Sequence, residues 1–232
     1  MRLFFYCVGL GVIGCTITLV AQTSQPPKAA ESSSSKYTKS SSARLAADID
    51  SASIANGVYR NRFLGLSCKV PAGWVLRTEE MNARDGDSAN TSEDKSSPQS
   101  TQGSTGEGGR VLLAAFSRPP EARGEDVNAS IVIAAEKVKA YPGLKEAVQY
   151  FGPLTEVAKA QGFAVDEEPY EFSIGTKKLV RGDFHKDAGT RVMRQSTLAF
   201  LAQGYVVSIT VIGGTEDEVE ELVDGVSFGP VK

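Results

Sequence analysis

The segment Arg181–Asp187, "RGDFHKD", gathers the side chains best suited to chemistry. Asp183, His185 and Asp187 alternate, so on a β-strand all three face the same side. One imidazole with two carboxylates could ligate a metal ion or perform acid–base work. His185 is the only histidine of the chain, however, and no second histidine or supporting cysteine completes a ligand set. The segment also runs into a turn at Ala188-Gly189, where polar residues are expected simply because water is there. A solvated strand end is the expectation. Arg181-Gly182-Asp183 matches an adhesion tripeptide, but inside a strand it presents no exposed loop, and chance accounts for it.

Cys68 with His185 is the one thiol–imidazole pairing the mature chain could offer. Cys68 sits in an alternating strand, "LSCKV", where a lone cysteine behaves as a small buried hydrophobe. A nucleophile needs exposure and a lowered pKa, which this context does not supply. Ser33 and Lys36 stand in Ser-x-x-Lys spacing, yet in a serine run without the folded surroundings that activate a serine. Gly9-x-Gly11-x-x-Gly14 has the letters of a dinucleotide fingerprint. That motif works only between a strand and a helix, with a second strand beyond. Here Pro26 and Pro27 halt any helix, and Ser32–Ser35 replaces the second strand. Neither a catalytic residue nor a cofactor or metal site is expected.

The same glycines lie in a targeting segment. Met1-Arg2 supplies a positive start, and Leu3–Ala21 carries no charge, a length fit for an export signal and near that of a bilayer span. Three endings fit it. Ala21 could precede a cleavage site, although Leu19 is large for its position. Val12-Ile13-Gly14-Cys15 resembles a bacterial lipobox with Cys15 as the lipidated residue, although the apolar "TITLV" that follows departs from the polar chain usual there. In the third ending the run stays as an uncleaved anchor. Each places the rest of the chain outside the cytoplasm, in the periplasm or cell envelope, and the membrane is met through the N-terminal segment only.

The chain has 232 residues, enough for one ordinary domain plus unstructured segments. Its 25 basic and 28 acidic side chains are near balance, so no electrostatic footprint for nucleic acid appears. Cysteines stand at 7, 15 and 68, two of them in the leader, which excludes an internal disulfide framework. An exported domain of this kind must be held by its hydrophobic core.

Residues 22–56 read as a flexible Ser/Pro-rich tether, with a short helical turn at Arg44–Ile54. A single domain is expected over residues 57–230. A polar tract at 82–109 interrupts it and is expected to be a surface loop. Around that tract, "YRNRFLGLSCKV" predicts two short strands, and "WVLRT", "RVLLAAFSR" and "ASIVIAAEKV" predict three more. Leu144, Ala147, Val148, Phe151, Leu154, Val157 and Ala158 recur at helical spacing up to Gly162, with Pro153 kinking or dividing the helix. Four further strands, "PYEFSIG", "KKLVRGDFHK", "TRVMRQSTLAFLA" and "YVVSITVIG", are joined by short turns and read as an antiparallel meander. The last helix is capped by Thr215, with Glu218 completing a capping box, and ends at Gly225. The sum is an α+β domain, an antiparallel β-sheet with helices packed on it.

Two further features bear on binding. Trp74, the single tryptophan, enters a strand after Pro71-Ala72-Gly73 and reads as a core anchor or, alternatively, as a stacking surface. Arg181, Arg191 and Arg194 fall on adjacent strands. They read either as partners of Asp183 and Glu171 or as a basic strip that receives an acidic ligand.

The opening "VYRNRFLGLSCKVPAGWVL", the meander, the "GYVVSITVIG" strand and the acidic helix after it resemble the PsbP-like superfamily over about Gly57–Gly229. That group includes an extrinsic photosystem II subunit and a Ran-binding nuclear transport factor. The resemblance implies an α/β/α sandwich and a role in binding or assembly in place of catalysis. With a single histidine, the chain has no counterpart to histidine-based metal sites among such relatives. The expected function is that of an exported, envelope-tethered, non-enzymatic module for a protein or small ligand. The alternatives are an exported hydrolase or metal-dependent enzyme using Cys68 or His185, and a carrier for a small apolar ligand.

Overall fold

The computed structural model describes residues 49, 51–87 and 109–229. The leader, with Cys15, Ala21 and the glycine triplet, and most of the tether and of the polar tract lie outside the described residues. Among the described residues no helix is long and apolar enough to span a membrane.

Two antiparallel sheets carry the chain. The smaller has strands β1 (Ala52–Ala55), β2 (Val58–Asn61), β3 (Leu66–Lys69) and β12 (Val226–Phe228), in the order β1-β2-β3-β12. The larger is built from β4 (Val75–Leu76), β5 (Gly109–Phe116), β6 (Ser130–Lys137), β7 (Ala164–Val165), β8 (Tyr170–Ile174), β9 (Lys177–Ala188), β10 (Arg191–Ala202) and β11 (Tyr205–Gly213). Its order is β4-β5-β6-β11-β10-β9-β7, with β8 also on β9. Three α-helices have their full extent among the described residues: α1 (Thr78–Asp87), α2 (Phe151–Ala160) and α3 (Glu216–Asp224).

The central strand explains the layering. Seven residues of β6, Ser130–Glu136, are buried without alternation, which marks a strand covered on both faces. Ile131, Ile133 and Ala135 point toward the smaller sheet and α3, meeting Val207, Ile209, Tyr59, Leu66, Cys68 and Leu222 in one core. The other face receives two helices. Phe151, Leu154 and Ala158 of α2 pack on Phe184, Ala199 and Val206, and Met81 of α1 packs on Val111, Ala114, Phe116 and Val132. Burying each large apolar side chain contributes about 1.5–3 kcal/mol, so this two-sided packing is the main source of stability.

The α+β class and the antiparallel meander stand as expected from the sequence. Several boundaries differ. The folded unit begins ahead of Gly57: Ile49 is helical, as in the expected turn, and buried, its carbonyl accepting from the Asn61 side-chain amide at 2.8 Å, whereas residues 52–55 form a strand. The cause is an Asn56-Gly57 turn with both residues at positive φ (52° and 68°), the two-residue loop that matches strand twist in a hairpin. These N-terminal strands form their own sheet with β12, so one outer layer is shared by strands and α3. The polar tract starts later than residue 82, because α1 runs to Asp87. After β4, "WVLRT" turns into that helix at Thr78, whose hydroxyl accepts from the Ala114 amide at 2.9 Å.

The predicted helix at 143–162 is divided ahead of Pro153. A 3-10 turn over Ala147–Tyr150 precedes α2, and Pro153 falls in the first turn of α2, where its missing N–H costs no hydrogen bond. At α3, the Thr215 hydroxyl accepts from the Glu218 amide at 3.1 Å. The Glu218 carboxylate reaches one residue further back than a capping box, to the Gly214 amide at 2.7 Å.

Candidate functional site

The residues singled out for chemistry are separated in the fold. Asp183 and His185 do share a strand face, but each is committed elsewhere. Asp183 accepts from Arg181 Nε at 2.9 and 3.0 Å and from the Tyr170 hydroxyl at 2.9 Å. His185 Nδ1 pairs with Asp166, the residue after β7, and Asp187 is exposed near the hairpin. No group of three His, Cys, Asp or Glu able to hold a metal occurs among the described residues. Cys68 is fully buried in the main core, and desolvation pushes its thiol up to about 12. A thiol held neutral at that level is not a nucleophile at ordinary pH.

The arginines do not make a basic strip. Arg181 is buried and forks onto Glu220 of α3 (Nη1–Oε2 3.1 Å) as well as Asp183, with the Phe172 ring 5.2 Å away. Glu171 pairs with Lys178 instead. Arg191 donates to the Gly124 carbonyl at 3.2 Å, and Arg194 lies opposite His185 in the strand register. Gly182 has a packing reason: a Cβ there would lie 2.7 Å from Phe151 Cε1. The Arg181–Asp183 tripeptide therefore sits mid-strand, as expected.

One polar cluster was missed by sequence reasoning. Glu136, 3% exposed at the end of β6, accepts from the Tyr150 hydroxyl at 2.7 Å and from the Tyr141 hydroxyl. The two rings meet edge to face at 5.6 Å. Desolvation raises the Glu136 pKa, against the lowering effect of the two tyrosine hydrogen bonds. Desolvation also raises both tyrosines, with the nearby carboxylate adding to it. All three side chains are enclosed beneath the 3-10 turn and α2, so the cluster fixes packing. Its only sequence signal was a carboxylate on the even face of an otherwise apolar strand.

The exposed apolar surface is concentrated elsewhere. Ile54 and Leu76 are 43% and 46% exposed. They line two neighbouring grooves, of about 530 Å³ beside α1 and about 970 Å³ between the Pro71–Trp74 turn and α3. Trp74 is half-buried, packed against the main core as the anchor reading expects, with part of its surface lining the larger groove. A groove of this size is large enough to admit a small ligand or a short peptide, and Trp74, Ile54 and Leu76 are apolar residues that line it. Its components lie far apart in sequence, at β1, the 71–76 turn and α3, so no local motif announces it.

No protein-family model matches the chain, and no curated protein sequence matches it. Solved structures similar to it include LpqN, involved in cell envelope biogenesis of Mycobacterium tuberculosis, at 15% identity and a TM-score of 0.36, covering 71% of this chain and 83% of that one. The Saccharomyces cerevisiae Ran-binding protein Mog1p is similar at 14% identity and a TM-score of 0.36, covering 71% of this chain and 90% of that one. A Pseudomonas aeruginosa protein of unknown function, PA94, is similar at 17% identity and a TM-score of 0.35, covering 47% and 79%.

Proposed function

We propose that this chain is an exported, envelope-tethered binding or assembly module of the PsbP-like type, working through a surface and not through reactive side chains. The observation that carries this reading is the placement of Ile54 and Leu76. Among the described residues three large hydrophobic side chains are exposed, and two of them, Ile54 and Leu76, line both grooves. Exposed apolar residues that converge on a concavity mark contact with another molecule. The binding reading is also supported by Cys68 being sealed in the core with a raised pKa, and by the lack of any thiol or second histidine beside the His185–Asp166 pair among the described residues.

A photo-cross-linking amino acid placed at Ile54 or Leu76 in the native host tests this. Discrete adducts are expected from both sites and none from Val148, the third exposed hydrophobic, which lies ahead of α2. Equal labelling from all three positions, or none, removes the surface reading. Mass spectrometry of the mature N-terminus tests the address: a start at lipidated Cys15 or at Gln22 supports export, and an intact cytosolic chain overturns it.

A further inference from the structure

The larger groove has a chemical character that specifies its occupant. This inference rests on the binding-module reading and goes on to the class of partner. Trp74, Ile54 and Leu76 give the groove its apolar surface, and α3 gives it an acidic wall of Glu218, Glu221 and Asp224. Lys69 is the single basic residue lining it.

The acidity of α3 is not explained by the helix. In "EDEVEELVD" no basic residue stands in the last turn. Glu216, Asp217 and Glu218 favour the positive end of the dipole, and Glu220 is matched by Arg181. Glu221 and Asp224 are different. They stand at the negative end, where a helix prefers cations, and no ion pair reaches them among the described residues. Both are exposed along the groove. A local conflict of this kind, next to an apolar surface that no other described residue covers, is what a binding face leaves in the free protein.

The β1–β2 hairpin lines the same groove as α3, through Ile54, Asn56, Gly57 and Val58. We propose that the groove receives a segment of a partner protein that carries both apolar and Lys or Arg side chains. The apolar groups rest on Trp74, Ile54 and Leu76, and the cations face Glu221 and Asp224.

Titration of the full chain with a synthetic peptide of alternating Lys and Leu tests the proposal, because Trp74 is the only tryptophan and its emission reports the groove directly. A saturable shift in emission is expected. The matching Glu/Leu peptide is expected to give none at the same concentrations. The double variant Glu221→Lys/Asp224→Lys should bind the Lys/Leu peptide at least tenfold more weakly, and Leu76→Ser several-fold more weakly. The double variant places cations at the negative end of α3, so its thermal midpoint should equal or exceed the parent's, and lost binding then cannot be lost folding. Equal binding of the two peptides, or an unchanged affinity in the double variant, overturns the proposal. A cross-link from Leu76 to a native partner that persists undiminished in the double variant refutes the cationic partner and leaves the binding-module reading in place. No cross-link from Leu76 in either chain removes both.

Discussion

Arg181 and Glu220 form a fork in which two guanidinium nitrogens meet the two carboxylate oxygens, fastening α3 to strand β9. The same guanidinium holds Asp183 through Nε, and Asp183 in turn holds Tyr170. Burial alone lowers the Arg181 pKa, but the hydrogen bonds that it donates to Glu220 and Asp183 outweigh it, and the net direction is upward. Removing the guanidinium leaves two carboxylates facing one another without a cation. Glu220 is partly exposed, which reduces the cost. Arg181→Met is expected to destabilise by about 1–3 kcal/mol, below the value for a fully buried pair. Arg181→Lys should fall between, since an ammonium keeps the charge and loses the fork. Urea unfolding checks this, and a methionine variant within about 0.5 kcal/mol of the parent, the scatter of neutral surface changes, contradicts it.

Glu136 should make stability depend on pH in a defined direction. Its folded pKa is raised by burial, so the folded state binds the proton more tightly than the unfolded chain does. Stability is then greatest below the unfolded glutamate range and falls as pH rises through the raised folded value. Glu136→Gln does not titrate and still offers groups to both tyrosines. Its stability relative to the parent should therefore increase from pH 5 to pH 8. A difference that stays constant across that range refutes the assignment. Glu136→Ala leaves the Tyr141 and Tyr150 hydroxyls unpaired around a void and should cost about 2–4 kcal/mol at pH 5, and less at pH 8, where the parent itself is less stable.

Gly182 tests why a glycine interrupts a long central strand. Its missing side chain makes room for the Phe151 ring at the start of α2. Gly182→Ala should be destabilising by about 1–3 kcal/mol, the usual cost of overpacking, although alanine suits a strand better. Gly182→Ala combined with Phe151→Leu should recover part of that loss. Thermal unfolding of the single and double variants decides it, and a single variant as stable as the parent would mean that the helix shifts freely.

Cys68 should be inert in the folded protein. With its thiol pushed up to about 12 and no exposed surface, iodoacetamide at pH 8 should leave it unmodified while the chain is native and label it after denaturation. Peptide mapping separates it from Cys7 and Cys15. Rapid native labelling of Cys68 would restore the thiol-enzyme alternative.

Much of the scaffold could be read locally. The meander from Tyr170 to Gly213 is written in short turns, of which Gln203-Gly204 has both residues at positive φ (51° and 82°). The Thr215 cap is likewise a contact between near neighbours. Strand β1 carried the same kind of signal in Asn56-Gly57, but its residues, Ala52–Ala55, are exposed and mostly small, so no period distinguished them from a tether. The division of the helix was legible at Pro153, because proline is excluded from a helix interior and tolerated in a first turn, but spacing alone did not fix where the second piece began.

The amino-acid sequence by itself determined most of the strands and the last two helices, because turn chemistry, capping and hydrophobic period act between residues a few positions apart; β1 and α1 carried no such period. It also determined that His185 has no second histidine to work with. Tertiary structure alone decided that Glu136 lies between two tyrosines, that Arg181 selects Glu220 over Glu171, and that Ile54, Leu76 and Trp74 gather beside an acidic helix. Those relationships depend on how two sheets stack and on which edge each strand occupies. Pairing across a fold is set by the packing of the whole core, and no local stretch of chain carries that information.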